Sequence, residues 1–215
     1  MNERYITADR VNEFLRKKTV RRFSKFQKTV SLADFDELTV IKAADTLYKK
    51  LDKDTEDALL ELAIAVFEDA KTEVGRKTEV GRKTESDDNK IEKFVSRVLS
   101  TPNEVTKYSY DTETLRKRDR LAEAVSTGEN TSHEIRRAMS LWSNMTAQYT
   151  DIVTDEVYTE VYREAGIKYV RWVTQEDEKV CKPCNEKNGT IYPIGEAPPK
   201  EHWHCRCYLV PVNER

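Results

Sequence analysis

The sequence has little of what sandwiches, barrels and many enzymes require. Its 215 residues include only six glycines and six prolines, which favours long helices over the frequent turns of a β-sandwich or barrel. It has no glycine-rich phosphate-binding loop and no Gly-x-Ser-x-Gly motif, so the commonest signs of a nucleotide-binding protein and of a serine hydrolase are missing. We therefore expect a mainly helical protein that is not an enzyme.

Long apolar runs are also missing. The most apolar stretch, Ala58 to Phe67, is short and contains Glu61, so it predicts a buried helix face and not a membrane span. The first five residues lack the apolar segment of a secretory signal. We expect no membrane partner, and a reducing compartment in which clustered cysteines bind metal in preference to forming disulfides.

Charge is abundant, nearly balanced overall and uneven along the chain. The net charge is −2, but residues 1–30 carry +6 and residues 31–70 carry −7. Such asymmetry predicts a basic N-terminal arm that meets something acidic. Two interpretations of the arm stay open, namely a solvated helix face and a surface that contacts DNA phosphates. The candidate DNA contacts are Arg16, Lys17, Lys18, Arg21, Arg22 and Lys25.

Apolar residues recur at helical spacing through most of the first 165 positions. The pattern predicts helices over residues 8–29, 33–53, 55–74, 89–99, 112–126 and 132–165. The second and third are expected to form a helical hairpin that turns at Lys53-Asp54. The last helix has an apolar stripe longer than a thin bundle can cover, so part of the stripe is expected to serve a partner.

A perfect hexapeptide repeat interrupts this pattern. Lys71–Arg76 recurs as Lys77–Arg82, and a six-residue period fits neither a heptad nor a helical turn. A duplication within a surface linker is therefore predicted. On this basis the chain divides into an N-terminal helical region with the basic arm (1–70), a linker (71–89), a second helical region (90–166) and a β module (167–215).

The period changes from helix to strand after Gly166, which is placed to end the last helix. Alternation over Lys168–Val173, with two further short runs near 190–192 and 207–212, predicts a small antiparallel sheet. The expected fold is mainly α, an elongated helical bundle followed by a small zinc-stapled β module (α+β). So small a sheet cannot bury a sufficient core without the metal.

All four cysteines and two of the three histidines lie near the C-terminus. The spacing Cys-x2-Cys-x17-His-x2-Cys, with one more cysteine two residues later, predicts a Zn²⁺ site. Cys181 and Cys184 are the firmest ligands. The second pair stays open between His202 with Cys205, His202 with Cys207, and both late cysteines. Four protein ligands leave no position for water, so the zinc is expected to be structural.

These residues also resemble the signature of the phage Mu F-like minor head proteins, known too as phage head morphogenesis proteins. The resemblance covers roughly residues 95–212 and is most specific in the last forty. It departs from the family pattern at Trp203-His204, where a proline and a small polar residue are usual. The residues that carry it are Trp172-Val173-Thr174, Asp177, Cys181, Cys184, Gly189, Tyr192, Pro198-Pro199, His202 and Cys205-Arg206-Cys207.

The resemblance implies a low-copy virion protein of a tailed phage, made in the host cytoplasm and located in the capsid interior or at the portal vertex. It implies the portal protein or the major capsid protein as partners, and packaged double-stranded DNA as a further one.

Two other functions are compatible with the residues. One is a zinc-ribbon nucleic-acid-binding protein, although acids around the module nearly cancel its cations. The other is a metal-dependent nuclease-like enzyme with His202 and His204 as acid and base. Its carboxylates would be Glu176, Asp177, Glu178 and Glu186.

Overall fold

The computed structural model describes residues 3–32, 36–75, 85–102, 107–175, 180–200 and 202–212. The helical body consists of α1 (Ile6–Ser31, after a 3₁₀ turn at Glu3–Tyr5), α2 (Glu37–Gly75), α3 (Glu85–Ser100), α4 (Tyr110–Ser126) and α5 (Thr131–Glu164). The C-terminal module contains β1 (Tyr169–Val173), α6 (Lys182–Lys187), β2 (Ile191–Pro193) and β3 (Tyr208–Val212). The mainly helical fold with a small C-terminal antiparallel sheet is confirmed. Among the helices in these ranges, none has both the length and the apolar composition needed to span a bilayer.

α2 is one continuous helix of 39 residues, so the predicted hairpin at Lys53-Asp54 is wrong. No glycine or proline occurs in this helix before Gly75, and nothing local stops it. Asp54 is not a helix cap, because its carboxylate accepts hydrogen bonds from Lys18 Nζ at 3.2 Å and Arg22 Nε at 2.8 Å. The Thr55 hydroxyl donates to the Leu51 carbonyl at 2.8 Å, as it does within a helix.

The helices extend into the predicted linker from both sides. Lys71–Gly75, from the first copy of the repeat, belong to α2, and α3 begins at Glu85 instead of residue 89. The second copy, Lys77–Arg82, lies outside the described residues. The division of the chain into four parts stays a prediction.

The long helix α5 is covered by other helices. It lies against α1, α2 and α4, so the prediction that part of its apolar stripe is left for a partner is wrong, and of this stripe Leu141 is the large residue that stays exposed. Trp142 meets Tyr48 of α2 edge to face with ring centroids 5.3 Å apart. The stripe residues buried in the core are Ile135, Trp142, Met145, Tyr149, Val153, Val157, Val161 and Tyr162.

The sheet has the order β2-β1-β3, with both pairs antiparallel. In the central strand β1, Val170 and Trp172 are buried while Tyr169 and Arg171 are exposed, the alternation that the sequence predicted. Val170 packs against the core of the helical body. The sheet therefore holds its inner face to the helices, and Trp172 lies on that face beside the cysteines.

Candidate metal centre

The first ligand pair lies on a short helix beside β1. Cys181 is the residue before α6, and Pro183 occupies its first turn, where a missing N–H costs nothing. Cys184 follows three residues after Cys181, which places both side chains on one side of the turn. Gly189, with φ of 80°, then returns the chain to β1, and its N–H donates to the Trp172 carbonyl at 2.8 Å.

The second ligand group precedes β3. Cys205 and Cys207 are both buried, whereas the intervening Arg206 points away and forms an ion pair with Asp9 of α1. Cys205 and Cys207 therefore lie on one side of the chain and Arg206 on the other, although β3 itself begins only at Tyr208.

The five candidate ligands meet in two overlapping groups. His202 Nε2 lies 3.1 Å from Cys181 Sγ and 3.5 Å from Cys184 Sγ. Cys184 Sγ lies 3.6 Å from Cys205 Sγ, and Cys207 joins that pair in a second group. With bonds of about 2.3 Å to sulfur and about 2.0 Å to nitrogen, tetrahedral zinc separates two sulfurs by about 3.8 Å and a sulfur and a nitrogen by about 3.5 Å. The donor types suit a zinc ion, and the distances from Cys184 to His202 and to Cys205 match this spacing, while the Cys181–His202 distance is shorter.

The imidazole of His202 is oriented by its own loop. Its Nδ1 lies 2.9 Å from the Trp203 carbonyl, and since a carbonyl only accepts, Nδ1 carries the proton. This hydrogen bond raises the pKa of His202. The lone pair of Nε2 then faces the thiols, as a metal-ligating histidine requires.

Trp203 and His204, where the sequence departs from the family pattern, also help to hold the loop of His202 in position. The His204 backbone adopts a left-handed conformation with φ of 56°, and its N–H donates to Gln148 Oε1 of α5 at 2.7 Å. The His204 side chain is exposed and belongs to neither ligand group.

Crowding of the thiols moves their pKa values apart. A hydrogen bond from Cys207 lowers the pKa of Cys205 to about 5 against the effect of burial. Burial, with hydrogen bonds to neighbouring thiols, raises the pKa of Cys184 to about 12. The hydrogen bond to Cys205 and burial raise that of Cys207. The negative charge of one thiolate therefore disfavours ionisation of the neighbouring thiols. A divalent cation between them would offset that repulsion.

The ligand loop is tied to the helical body by Lys200. Its Nζ donates to the Cys205 carbonyl at 2.7 Å and to the Tyr5 hydroxyl at 3.0 Å, and it forms an ion pair with Asp155 of α5. The Tyr5 hydroxyl in turn donates to Asp155 Oδ1 at 2.7 Å. Residues near both ends of the chain therefore meet at Asp155, which is half-buried.

A second N-terminal contact is made by Arg4, whose side chain is 6% exposed. Its guanidinium donates to the Leu209 carbonyl of β3 at 2.5 Å and to the Tyr162 hydroxyl at 2.6 Å, and it lies 3.8 Å from the centre of the Tyr158 ring. We call Arg4, Tyr5 and Asp9 the N-terminal anchor. Sequence reasoning missed it, because the partners of Arg4 in these bonds lie 205 and 158 residues further along.

Two of the six predicted DNA-contact residues form ion pairs with another helix. Lys18 and Arg22 both bind Asp54 of α2, whose side chain is 11% exposed. The same pairing lowers the pKa of Asp54, although burial opposes it. These two cations hold α1 against α2.

The other four candidate DNA contacts are exposed on α1. Arg16 and Lys17 form ion pairs with Glu13 of the same helix, at 3.0 and 3.4 Å. Arg21 and Lys25 form no ion pair within the described ranges. Of the six candidates, Arg21 and Lys25 are the two that could bind an external anion without breaking an ion pair within the described residues.

Of the candidate nuclease carboxylates, the one in the described part of the chain does not belong to the metal centre. Glu186 is exposed and lies 3.9 Å from Lys182, while Glu176, Asp177 and Glu178 lie outside the described residues. Within the part of the chain that the structure describes, the ligand groups contain only cysteine and histidine.

Comparison with known proteins gives a match that lies within the region of the resemblance. Residues 116–210 match the family model described as Phage Mu protein F like protein, which covers most of α4, all of α5 and every candidate ligand. No curated protein and no solved structure matches the chain. The resemblance carried by the cysteine module is thus confirmed, and residues 116–210 of the chain are similar to the family described as Phage Mu protein F like protein.

Proposed function

We propose that the protein is a minor structural protein of a tailed-phage head, held in the virion at the portal vertex or on the inner capsid shell. The observation that carries the proposal is the family match over residues 116–210, because it contains both α5 and the complete candidate metal centre. The family resemblance implies head morphogenesis. The portal protein and the major capsid protein are the partners that this function requires.

In this proposal the C-terminal module holds one structural zinc ion. Sulfur and imidazole donors suit zinc, and we assign Cys181, Cys184, His202 and Cys205 as ligands. Cys205 is preferred because its sulfur lies 3.6 Å from that of Cys184 and because it completes the His-x2-Cys pair. Cys207 then lies beside the centre as a thiol that donates to Cys205.

A closed centre of this kind gives the module a fixed shape. Bound zinc supplies folding free energy to a sheet that is too small to be stable alone. Lys200 and Arg206 lie on either side of Cys205 in the sequence. They contact Tyr5 and Asp9, so the ligand loop and the N-terminal anchor hold each other in position. The metal therefore supports a rigid surface for assembly, with no position left for a reacting water.

Cross-linking in assembled proheads tests the assembly function. A tagged full-length chain is expressed with the portal and major capsid proteins of its phage, and cross-linked peptides are identified by mass spectrometry. We expect cross-links from the C-terminal module to the portal or capsid protein, and fewer of them for Cys184→Ser. Normal infectious particles that lack the protein would overturn the proposal.

A second function, contact with packaged DNA, is favoured by the exposed cations of α1. Arg21 and Lys25 lie one turn apart on its outer surface. The double variant Arg21→Gln/Lys25→Gln should reduce the slope of log affinity against log salt by about 2. Arg136→Gln, at an exposed site on α5, is the matched control, and an equal effect of both variants would contradict this surface.

We propose no enzymatic role, since the assigned ligands close the metal centre. The nuclease alternative predicts metal-dependent cleavage of nucleic acid by the purified protein. Incubation of plasmid DNA with the zinc-loaded chain and with Cys184→Ser separates the two. Cleavage by the first and not by the second would favour the enzyme.

A further inference from the structure

The side of the sheet that faces away from the helices is apolar and open. Alternation along β1 and the antiparallel register place one set of residues on this side. None of them belongs to either hydrophobic core formed by the described residues, and Tyr169 and Ile191 are 38% and 48% exposed. The register also places Tyr208 across from Val173, but its ring lies 4.7 Å from the Arg4 guanidinium, so Tyr208 is left out of the set. We call the set the outer sheet face: Tyr169, Arg171, Val173, Ile191, Pro193, Val210 and Val212.

One charge stands in the middle of this face. Arg171 lies directly across from Ile191 on one side and from Val210 on the other. It is exposed and forms no ion pair with any acid of the described ranges. A guanidinium with apolar neighbours on both sides is suited to bind a carboxylate through two parallel hydrogen bonds.

The edges of the sheet are poor places for another strand. Pro211 in β3 has no N–H to donate, and the neighbouring Leu209 carbonyl already accepts from Arg4. The other edge strand, β2, has three residues and ends at Pro193. A partner therefore reaches this module through its face and not by strand addition.

We propose that the outer sheet face docks an apolar patch of another phage-head protein, and that the patch presents a carboxylate to Arg171. The inference rests on the proposed function, which supplies the head as the source of the partner. A second copy of this chain is disfavoured, because a two-fold contact across the face would bring Arg171 against its own equivalent.

The size of the face defines its role in the contact. Three strands spaced about 4.8 Å apart and five residues of about 3.3 Å each give a patch of about 10 by 17 Å. A stable interface buries about 800 Å² per partner. The outer sheet face is thus the centre of a larger contact, and a central arginine among apolar residues is a typical energetic hot spot.

The test measures binding of the full-length chain to proheads assembled from the portal and major capsid proteins of the same phage. Arg171→Glu and Ile191→Asp are compared with Arg136→Glu, which reverses an exposed charge on α5. Both face variants should bind at least about tenfold more weakly than wild type, and the control should bind as wild type. Circular dichroism and bound zinc are measured on each variant to verify the fold.

The outcomes separate this inference from the function on which it rests. Wild-type binding by both face variants would overturn the docking face and leave the head protein proposal standing. Failure of the wild-type chain to enter or bind heads would overturn both. Dimers of the wild-type chain that Ile191→Asp dissociates would assign the face to a second copy and overturn the heterologous partner.

Discussion

The helical body and the C-terminal module reach a defined structure in different ways. In the body, α2 alone buries thirteen residues and α5 buries fourteen, most of them apolar or aromatic. The module's own core consists of Trp172 and the three buried cysteines, Cys184, Cys205 and Cys207. The body is therefore specified by periodic packing, whereas the module has a small core of its own and relies on its contacts with the body and, in our proposal, on a metal ion.

This difference explains why the two ends of the chain are joined. A core of one tryptophan and three thiols is far below what an independent domain buries. The N-terminal anchor adds the missing contacts, since Arg4 holds β3 while Tyr5 meets Lys200 of the ligand loop. Removal of the metal and removal of the anchor should therefore affect the module separately, and the body much less.

The largest effect is expected from loss of a shared ligand. Cys184 belongs to both ligand groups, and structural zinc supplies on the order of 10 kcal/mol to small modules. Cys184→Ser should reduce bound zinc from one per chain to nearly none, as measured by elemental analysis. Limited proteolysis should then cut within residues 167–212, while circular dichroism retains most of the helical signal.

Cys207→Ser is the matched control for this experiment. It removes a buried thiol from the same loop but not one of the four assigned ligands, so it should keep about one zinc per chain. Retention of zinc by Cys184→Ser, or a protease-resistant module without metal, would contradict the structural centre. If Cys207→Ser lost zinc and Cys205→Ser retained it, the fourth ligand would be Cys207 and not Cys205.

The second effect concerns the N-terminal anchor. Arg4→Ala removes hydrogen bonds to the Leu209 carbonyl and the Tyr162 hydroxyl, and charged hydrogen bonds of this kind are worth about 3 kcal/mol together. Hydrogen exchange should accelerate in β3 more than in α2, with zinc still bound. Arg10→Ala, at an exposed site in α1, is the control. Equal exchange rates in β3 for both variants would contradict a stabilising role of the anchor.

Local pattern was enough to predict the parts that depend on local chemistry. The bounds of α5 (131–164) and β1 (169–173) lie within one residue of their predictions at 132–165 and 168–173, because apolar spacing, Gly166 and strict alternation mark them. The candidate ligands were identified from spacing alone, and Cys181, Cys184 and His202 do lie together. Motif chemistry and periodicity are properties that the sequence shows directly.

The parts that were missed depend on distant partners. Lys53-Asp54 was interpreted as the turn of a helical hairpin, but the Asp54 carboxylate binds α1. Arg4 counted as one cation of a basic arm, yet it is buried against β3. The position of both residues is set by an ion pair or hydrogen bond to a distant part of the chain. Local sequence patterns do not reveal partners of that kind.

A smaller effect should appear in the dependence of stability on pH. Asp151 on α5 is buried, and one of its oxygens finds no hydrogen-bond partner among the described residues. Burial raises its pKa to about 7, and Lys200 and Arg206 oppose the shift while Asp155 and Asp9 add to it. Because the folded pKa exceeds the unfolded one, stability is lost as pH rises from about 4 to about 7.

Asp151→Asn should remove this loss. Its advantage in the free energy of unfolding over wild type should widen by about 2 kcal/mol between pH 5.5 and pH 8, measured by urea unfolding at each pH. Asp119→Asn, at an exposed site on α4, should show no such trend. A constant difference between Asp151→Asn and wild type would mean that this carboxyl does not titrate in that range.

The smallest effect is expected at the hexapeptide repeat. Deletion of Lys77–Arg82 gives the same chain as deletion of Lys71–Arg76, because the two copies are identical. Glu73 and its 3.1 Å ion pair with Arg4 are therefore kept. Three residues would then join Gly75 of α2 to Glu85 of α3, a usual length between packed helices.

Loop closure changes the free energy of unfolding by only about 1 kcal/mol over this range of lengths, so the melting temperature should shift by less than about 4 °C. Replacement of Lys77–Arg82 by six glycine and serine residues separates length from side-chain contacts. If the deletion lowers the melting temperature strongly and the replacement does not, the shortened connection strains α2 and α3. If both lower it, the second copy packs against the helical body, and the linker prediction is wrong.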